Sequence, residues 1–310
     1  MYRKTLCAAI LIAAICDPTL TTAQTQVNTS ATSASITYTA DLLERIRGAA
    51  NAIPGDSPTA INFLKIAETH RTRAAVIQGG SDTPFVSART VFQVLYPAAS
   101  IMIDAGMDEA VHRFYGFGRE EPFWPDKNET VQEALRRANL IIVTHEHGDH
   151  IAGVVRTDHR AELAPKTLLT KAQIETLSSN PQLPEIALTS EESRDYLVVD
   201  YERFLPVAPG MVLIKSPGHT PGHQMVYTRL ANNREYLFIG DIGWLIDSVT
   251  ELTLRPEAMS ERIGENRQAI MAQLIWIKQV MDRHGIIIVP SHDNELLNGY
   301  SEKGLLGELK

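Results

Sequence analysis

Cysteine is almost absent: the 310-residue chain has two, Cys7 and Cys16, both near its start. A disulfide framework, a thiolate metal site or a cysteine nucleophile is therefore excluded from everything beyond residue 16. Basic charge is also scarce, with 29 Lys and Arg against 37 Asp and Glu and a formal charge of −8. That balance argues against a nucleic-acid or anionic-membrane partner, either of which calls for a basic surface. After residue 16 no apolar run is long enough to cross a bilayer. No internal repeat of fixed period is present.

The N-terminus holds a different kind of segment. "MYRK" supplies two positive charges, "LCAAILIAAIC" (6–16) an apolar stretch, and Thr21 and Ala23 a small-residue cleavage site. This is the pattern of a secretory signal peptide over residues 1–23, and it implies a periplasmic or secreted protein with no stable membrane insertion once the peptide is removed. Cleavage would take away both cysteines together with Arg3, Lys4 and Asp17, leaving 27 basic and 36 acidic residues and a formal charge of −9. Residues 24–39, rich in Ser and Thr and uncharged, read as a flexible leader. One domain, 40–310, follows.

Within that domain, residues 40–53 have helical apolar spacing and stop at Pro54-Gly55. Strands are expected at 61–68, 74–79, 89–97 and 100–106, then at 139–144 after a short helix over 130–138. A second strand cluster is expected at 211–216, 224–230 and 236–241, with Asn232-Asn233 as its hairpin turn. A single long helix over 260–284 precedes a last strand, 285–290. The polar stretch 180–210 reads as a surface excursion. Strands in two groups, each followed by helices, predict an α/β fold of two packed sheets with helices outside.

Residues 144–150 read THEHGDH, directly after the apolar run "LIIV". On a strand His145 and His147 point to one side, so both imidazoles reach one ion. Gly148 permits the turn that follows, and Asp149 and His150 can face a second position. A zincin motif is excluded, because Asp149 stands where its second histidine would be. Further ligands occur at the ends of later apolar strands: His219 in "SPGHTPGH", Asp241 in "YLFIGD" and His292 in "IIIVPSH". Strand ends converge on one sheet edge, where loops shape a pocket. The count closes with His145, His147 and His219 on one ion, Asp149, His150 and His292 on a second, and Asp241 between them. Glu146 is left without a role. His70, His112, His159 and His284 read as solvated, and Met271 and Trp276 as core.

In their order and spacing these motifs resemble those of the metallo-β-lactamase superfamily, over about residues 85–295. The resemblance implies a four-layer αββα sandwich with a dinuclear site of two divalent ions, zinc first, with Mn2+ or Fe2+ as alternatives. It also places Asp104, in "MIDAG", and His223 behind the ligands rather than on the metal. Two such ions lower the pKa of a shared water from about 16 towards 7 and polarise a carbonyl, so hydrolysis of a small-molecule substrate is expected. Asp149 is expected to exchange a proton as well as to bind metal. The lack of cysteine excludes the cysteine-ligand β-lactamases. "FIGD" departs from the all-histidine-site β-lactamases, and "PGHTPGHQ" looks most like the acyl-homoserine-lactone lactonases. Many lactonases carry a tyrosine three residues after the bridging aspartate; here Trp244 stands there, read as a pocket wall. A β-lactamase or thioesterase of the same fold is the alternative. A mononuclear iron oxidoreductase of the persulfide-dioxygenase kind is the alternative from another class. Loops 107–128 and 176–210 are expected to select the substrate.

Overall fold

The computed structural model describes Tyr38, Thr39 and residues 41–309. The predicted signal peptide and most of the predicted leader lie outside the described residues. Tyr38, placed by sequence in the leader, rests its ring 5.6 Å from that of Trp276.

Strands β1 (Ala60–Thr72), β2 (Pro84–Leu95), β3 (Ser100–Ile103), β4 (Leu140–Ile142), β5 (Thr167–Thr170) and β6 (Leu197–Val199) follow one another in the first half. Then come β7 (Phe204–Ala208), β8 (Met211–Lys215), β9 (Gln224–Arg229), β10 (Glu235–Gly240), β11 (Ile287–Pro290) and the short β12 (Gly307–Glu308). They form a seven-stranded sheet, β12-β1-β2-β3-β4-β5-β6, and a five-stranded sheet, β11-β10-β9-β8-β7. The helices are α1 (Leu42–Ala50), α2 (Glu109–Tyr115), α3 (Pro125–Arg137), α4 (Gly148–Val155), α5 (Arg160–Leu163) and α6 (Lys171–Ser179), then α7 (Asp247–Thr250), α8 (Glu257–Ile263), α9 (Arg267–His284) and α10 (Asn294–Glu302).

Period-2 alternation sorts the strand residues into layers. On β10, Tyr236 and Phe238 face the other sheet and pack with Phe92, Ile103, Ile142 and Leu213. Their neighbours Leu237 and Ile239 face outward, under α1 and α9, with Leu43, Ile46, Leu274 and Ile277. The larger sheet repeats the arrangement, placing Val91, Met102 and Ile141 under α3, α4 and α6. Phe92 and Phe238 meet edge-on between the sheets, ring centroids 5.1 Å apart. The result is the four-layer αββα sandwich that the strand grouping and the resemblance imply.

Three expectations fail, each for a local reason. Residues 74–79 are not a strand; Arg73–Ala75 form a 3₁₀ turn joining β1 to β2. Their apolar character is spent on a small cluster in which Val76 and Ile77 pack with Phe85 and Leu245. The helix expected over 260–284 is two helices, α8 and α9, broken where Gly264 adopts φ +84° and Asn266 caps the next helix by accepting from Ala269 N at 3.0 Å. The stretch 180–210 is not only surface excursion, since it contributes an edge strand to each sheet, β6 and β7. Among the described residues no helix is long and apolar enough to cross a membrane.

Candidate metal centre

Strands β3, β4 and β5 are parallel, as are β10 and β11, so their C-terminal ends share one edge of the sandwich. Asp104, His145, Asp241 and His292 follow β3, β4, β10 and β11, and His219 follows β8. The structure draws the seven predicted ligands into two groups of ligand atoms, one of His145, His147, His219 and Asp241, the other of Asp149, His150 and His292; within each, the atoms lie no more than 4.8 Å apart. Asp241 faces both groups. Its Oδ2 lies 3.5 Å from His219 Nε2, and its Oδ1 lies 3.4 Å from His150 Nε2 and 3.0 Å from His292 Nε2.

The rings are turned by what their other nitrogens meet. His150 Nδ1 donates to Asp104 Oδ2 at 2.7 Å, His219 Nδ1 to Glu265 Oε1 at 2.7 Å and His292 Nδ1 to the Ala88 carbonyl at 2.6 Å. In that tautomer each Nε2 keeps its lone pair for the centre. Carboxylates and carbonyls behind ligating imidazoles commonly fix ring orientation in this way. Asp104 also accepts from Thr144 N at 2.7 Å and Thr144 Oγ1 at 2.9 Å, tying β3 to the segment that carries His145. It does so from a left-handed backbone, φ 62°, uncommon for a residue with a side chain. Gly153 on α4 is required for the same corner, because a Cβ there would meet the Ala105 carbonyl oxygen at 2.0 Å. His223 lies one layer out: Nδ1 meets Ser216 Oγ at 2.8 Å, and Nε2 accepts from Asp241 N at 3.2 Å.

The donor set fits divalent cations. His145 Nε2, His150 Nε2 and Asp241 Oδ1 are buried and make no hydrogen bond, a costly state for polar atoms unless another partner completes them. His147 Nδ1 and His219 Nε2 face each other at 3.0 Å, as two lone pairs do around a shared cation. Burial holds His145 well below the ordinary histidine range and His147 at about 3, so both imidazoles are neutral and ready to ligate at pH 7. At His150 burial works the same way, but Asp104, Asp149 and Asp241 outweigh it and raise the pKa. Imidazole and carboxylate without sulfur suit zinc, manganese or iron.

Several residues with no motif complete the site. Glu146, left without a role by sequence, is buried, and its carboxylate accepts from Thr220 Oγ1 at 2.8 Å and Gly222 N at 3.0 Å, pinning the loop that carries His219. Glu265, set in the α8–α9 break with its side chain buried, is held by Arg255 Nη1 at 2.6 Å. Tyr115 Oη accepts from Asp149 N at 3.1 Å and donates to Gln182 Oε1 at 2.7 Å. Arg89 lies on the overhang of β2: Phe92 pairs with Ile103 at the end of β3, and β2 continues three residues past that point to Arg89. There its Nη1 lies 3.2 Å from Asp149 Oδ2. Trp244 borders the cavity, but its indole N–H is committed to Asp241 Oδ2 at 2.7 Å, so it is more than a wall. His112 is also buried rather than solvated, with Nε2 3.3 Å from the Glu121 carbonyl.

A cavity of about 760 Å³ opens over the ligands. Phe114 and Phe117 from the first predicted selecting loop line it, and so do Asn180 and Gln182 from the second. Met259, Arg262 and Ile263 from α8 form a wall that the sequence reading missed, since one unbroken helix would have left no reason to place it there.

Comparison with known proteins agrees with this architecture. Residues 88–248 match the family model of the Metallo-beta-lactamase superfamily. An N-acyl homoserine lactonase from Bacillus sp. is 24% identical over 212 residues, spanning 64% of this chain and 78% of that protein. A solved N-acyl homoserine lactone hydrolase, with the product N-hexanoyl-L-homoserine at its catalytic metal centre, superimposes with a TM-score of 0.61 at 16% identity, covering 78% of this chain and 96% of that one. A dizinc quorum-quenching lactonase gives a TM-score of 0.53 at 16% identity over 76% and 92% of the two chains. At such identity the structural likeness speaks for the fold alone.

Proposed function

The chain belongs to the metallo-beta-lactamase superfamily and is a metal-dependent hydrolase, and from that premise we propose that it is a dinuclear enzyme opening a lactone or related ester. The observation that carries the dinuclear reading is Asp241, whose carboxylate comes within 3.5 Å of His219 Nε2 in one group of ligand atoms and within 3.4 Å of His150 Nε2 in the other. His145, His147 and His219 would hold one ion, Asp149, His150 and His292 the other, with Asp241 between them. Such a pair supplies a hydroxide at neutral pH and a Lewis acid for the attacked carbonyl.

The chain's own residues then have separable tasks. Asp104, Glu265 and the Ala88 carbonyl hold three imidazoles in register. Asp149, in contact with the cavity, receives the proton released on attack and returns it to the leaving oxygen. Phe114 and Phe117 offer apolar contact at the cavity mouth. Because the Trp244 N–H is committed to Asp241, the substrate carbonyl finds no donor there, and Trp244 acts by orienting the Asp241 carboxylate. The lactone as substrate is supported by the N-acyl homoserine lactonase relative. The predicted signal peptide adds an extracytoplasmic site of action.

A panel of acyl-homoserine lactones, a β-lactam and a thioester, run on purified protein with metal analysis, tests this reading. Lactone turnover with two ions per chain supports it. Turnover of the β-lactam or thioester alone, or one iron with oxygen consumption, overturns it.

A further inference from the structure

Both groups of ligands have an arginine nearby, but the two arginines stand differently. On the first side the Arg255 guanidinium meets Glu265, the carboxylate behind His219, and touches Asp241 only at its main-chain carbonyl, so it contacts no ligating side-chain atom. On the second side Arg89 meets a ligand itself. Its Nη1 lies 3.2 Å from Asp149 Oδ2, the oxygen that faces His292 Nε2 at 3.6 Å and His150 Nε2 at 3.7 Å. The same Nη1 is 3.0 Å from His292 Nδ1, which is already occupied in donating to Ala88, so this contact is a close approach rather than a bond. The guanidinium is 4% exposed, lies over the Tyr115 ring at 4.9 Å, and its Nε has no hydrogen-bond partner.

A fixed cation in contact with one ligand and against the ring of another repels a dication placed between them. Little water is present to screen the repulsion. Arg89 also shares the lone pairs of Asp149 Oδ2 that a metal would use. On the first side Arg255 takes no lone pair from a ligating side-chain atom, and its charge is paired with Glu265, which is not a ligand.

We infer that Arg89 makes the Asp149–His150–His292 position the weaker and exchangeable of the two metal positions, so that the enzyme gains its second ion only as free divalent metal rises. The inference rests on the dinuclear reading above. The second ion is then a controllable one, and Arg89 is a positioning residue that sets the threshold through Asp149.

The test is a Zn2+ titration of the chelator-stripped full chain, followed by calorimetry and by metal analysis. Wild type takes up two ions in unequal steps, with dissociation constants at least about tenfold apart. His292→Ala removes the weaker step. Arg89→Met, close in volume but uncharged, tightens the weaker step by about tenfold or more and leaves the tighter one in place. Arg89→Lys keeps the charge and keeps the gap. Equal steps in wild type overturn the inference without any variant, so a misfolded Arg89→Met would not shelter it. A weaker step that is unchanged or loosened in Arg89→Met also overturns it, because that result means the guanidinium serves only to hold Asp149. If wild type saturates with one ion, the dinuclear reading itself fails, and that outcome is distinct from two equal steps.

Discussion

The middle of the sandwich and its ligand-bearing edge are built by the same strands and obey opposite rules. In the middle, β2 and β10 bring Phe92 against Phe238 with no polar group between them, and stability comes from area removed from water. At the edge, five residues further along or less, buried histidines and carboxylates crowd together, several with unmet hydrogen-bonding atoms. Such an edge costs stability until a cation completes it, and the dry middle offsets that cost. The pairing teaches how a hydrolase keeps a buried polar cluster rigid: the ligand residues stand at strand ends, or on the loop and helix that directly follow them, and those strands are committed to the core.

Mutations at the two regions should therefore fail in different ways. The largest effect is expected at the edge. Asp241→Ala should lower turnover by roughly a thousandfold or more, with metal lost and the far-ultraviolet circular dichroism retained. Full activity in that variant would break the comparison at its root. Phe92→Ala should show the reverse, losing about 3–5 kcal/mol of stability in denaturant titration while metal content per folded chain stays unchanged. Glu265→Gln should weaken metal binding by about 10–100-fold, since His219 loses the charged acceptor that orients it; Arg255 would remain to hold the loop.

The edge should also be sensitive to acid where the middle is not. In the metal-free chain burial, the largest cause in each case, lowers the pKa of His112, His145, His147 and His223, while carboxylates raise that of His150. A lowered histidine contributes stability that is complete above its unfolded pKa of about 6.5 and is lost as pH falls, because the unfolded chain then binds more protons. His150 has the opposite sign, but it stands alone against four. The melting temperature of stripped protein should fall between pH 7 and about 5.5, and a flat or rising profile would contradict this assignment. The smallest effect is expected for Trp244→Phe, which removes one hydrogen bond to Asp241, worth about 1.5–3 kcal/mol for a charged acceptor, and keeps the aromatic wall. Turnover should drop by no more than about 100-fold, with the Michaelis constant little changed.

How much of this was legible in sequence follows the same division. The sandwich and the convergence of the seven predicted ligand residues could be read because strands carry a period and because those residues stand at strand ends beside apolar runs. Asp104 and His223 needed the resemblance to a family. Arg89, Tyr115 and Glu265 had no signal of their own: each is a single residue brought in from a distant element, and only tertiary packing tells it from a solvated surface charge or an ordinary tyrosine. Glu146 stood in plain view inside THEHGDH, but its partners Thr220 and Gly222 come from a distant loop that only the fold brings near. The α8–α9 break was hidden because apolar spacing continues across Gly264–Asn266, although Gly264 and the capping Asn266 were there to be weighed. Residues 74–79 misled for a converse reason, since a short apolar run buried in a turn has the composition of a strand.

The central claim is that the edge holds two metal positions sharing Asp241. Metal analysis of the purified full chain against Asp241→Ala tests it most directly. The account predicts two divalent ions per wild-type chain, falling to one or none in the variant together with hydrolysis. A single ion in the wild type, or two ions retained without Asp241, would contradict it.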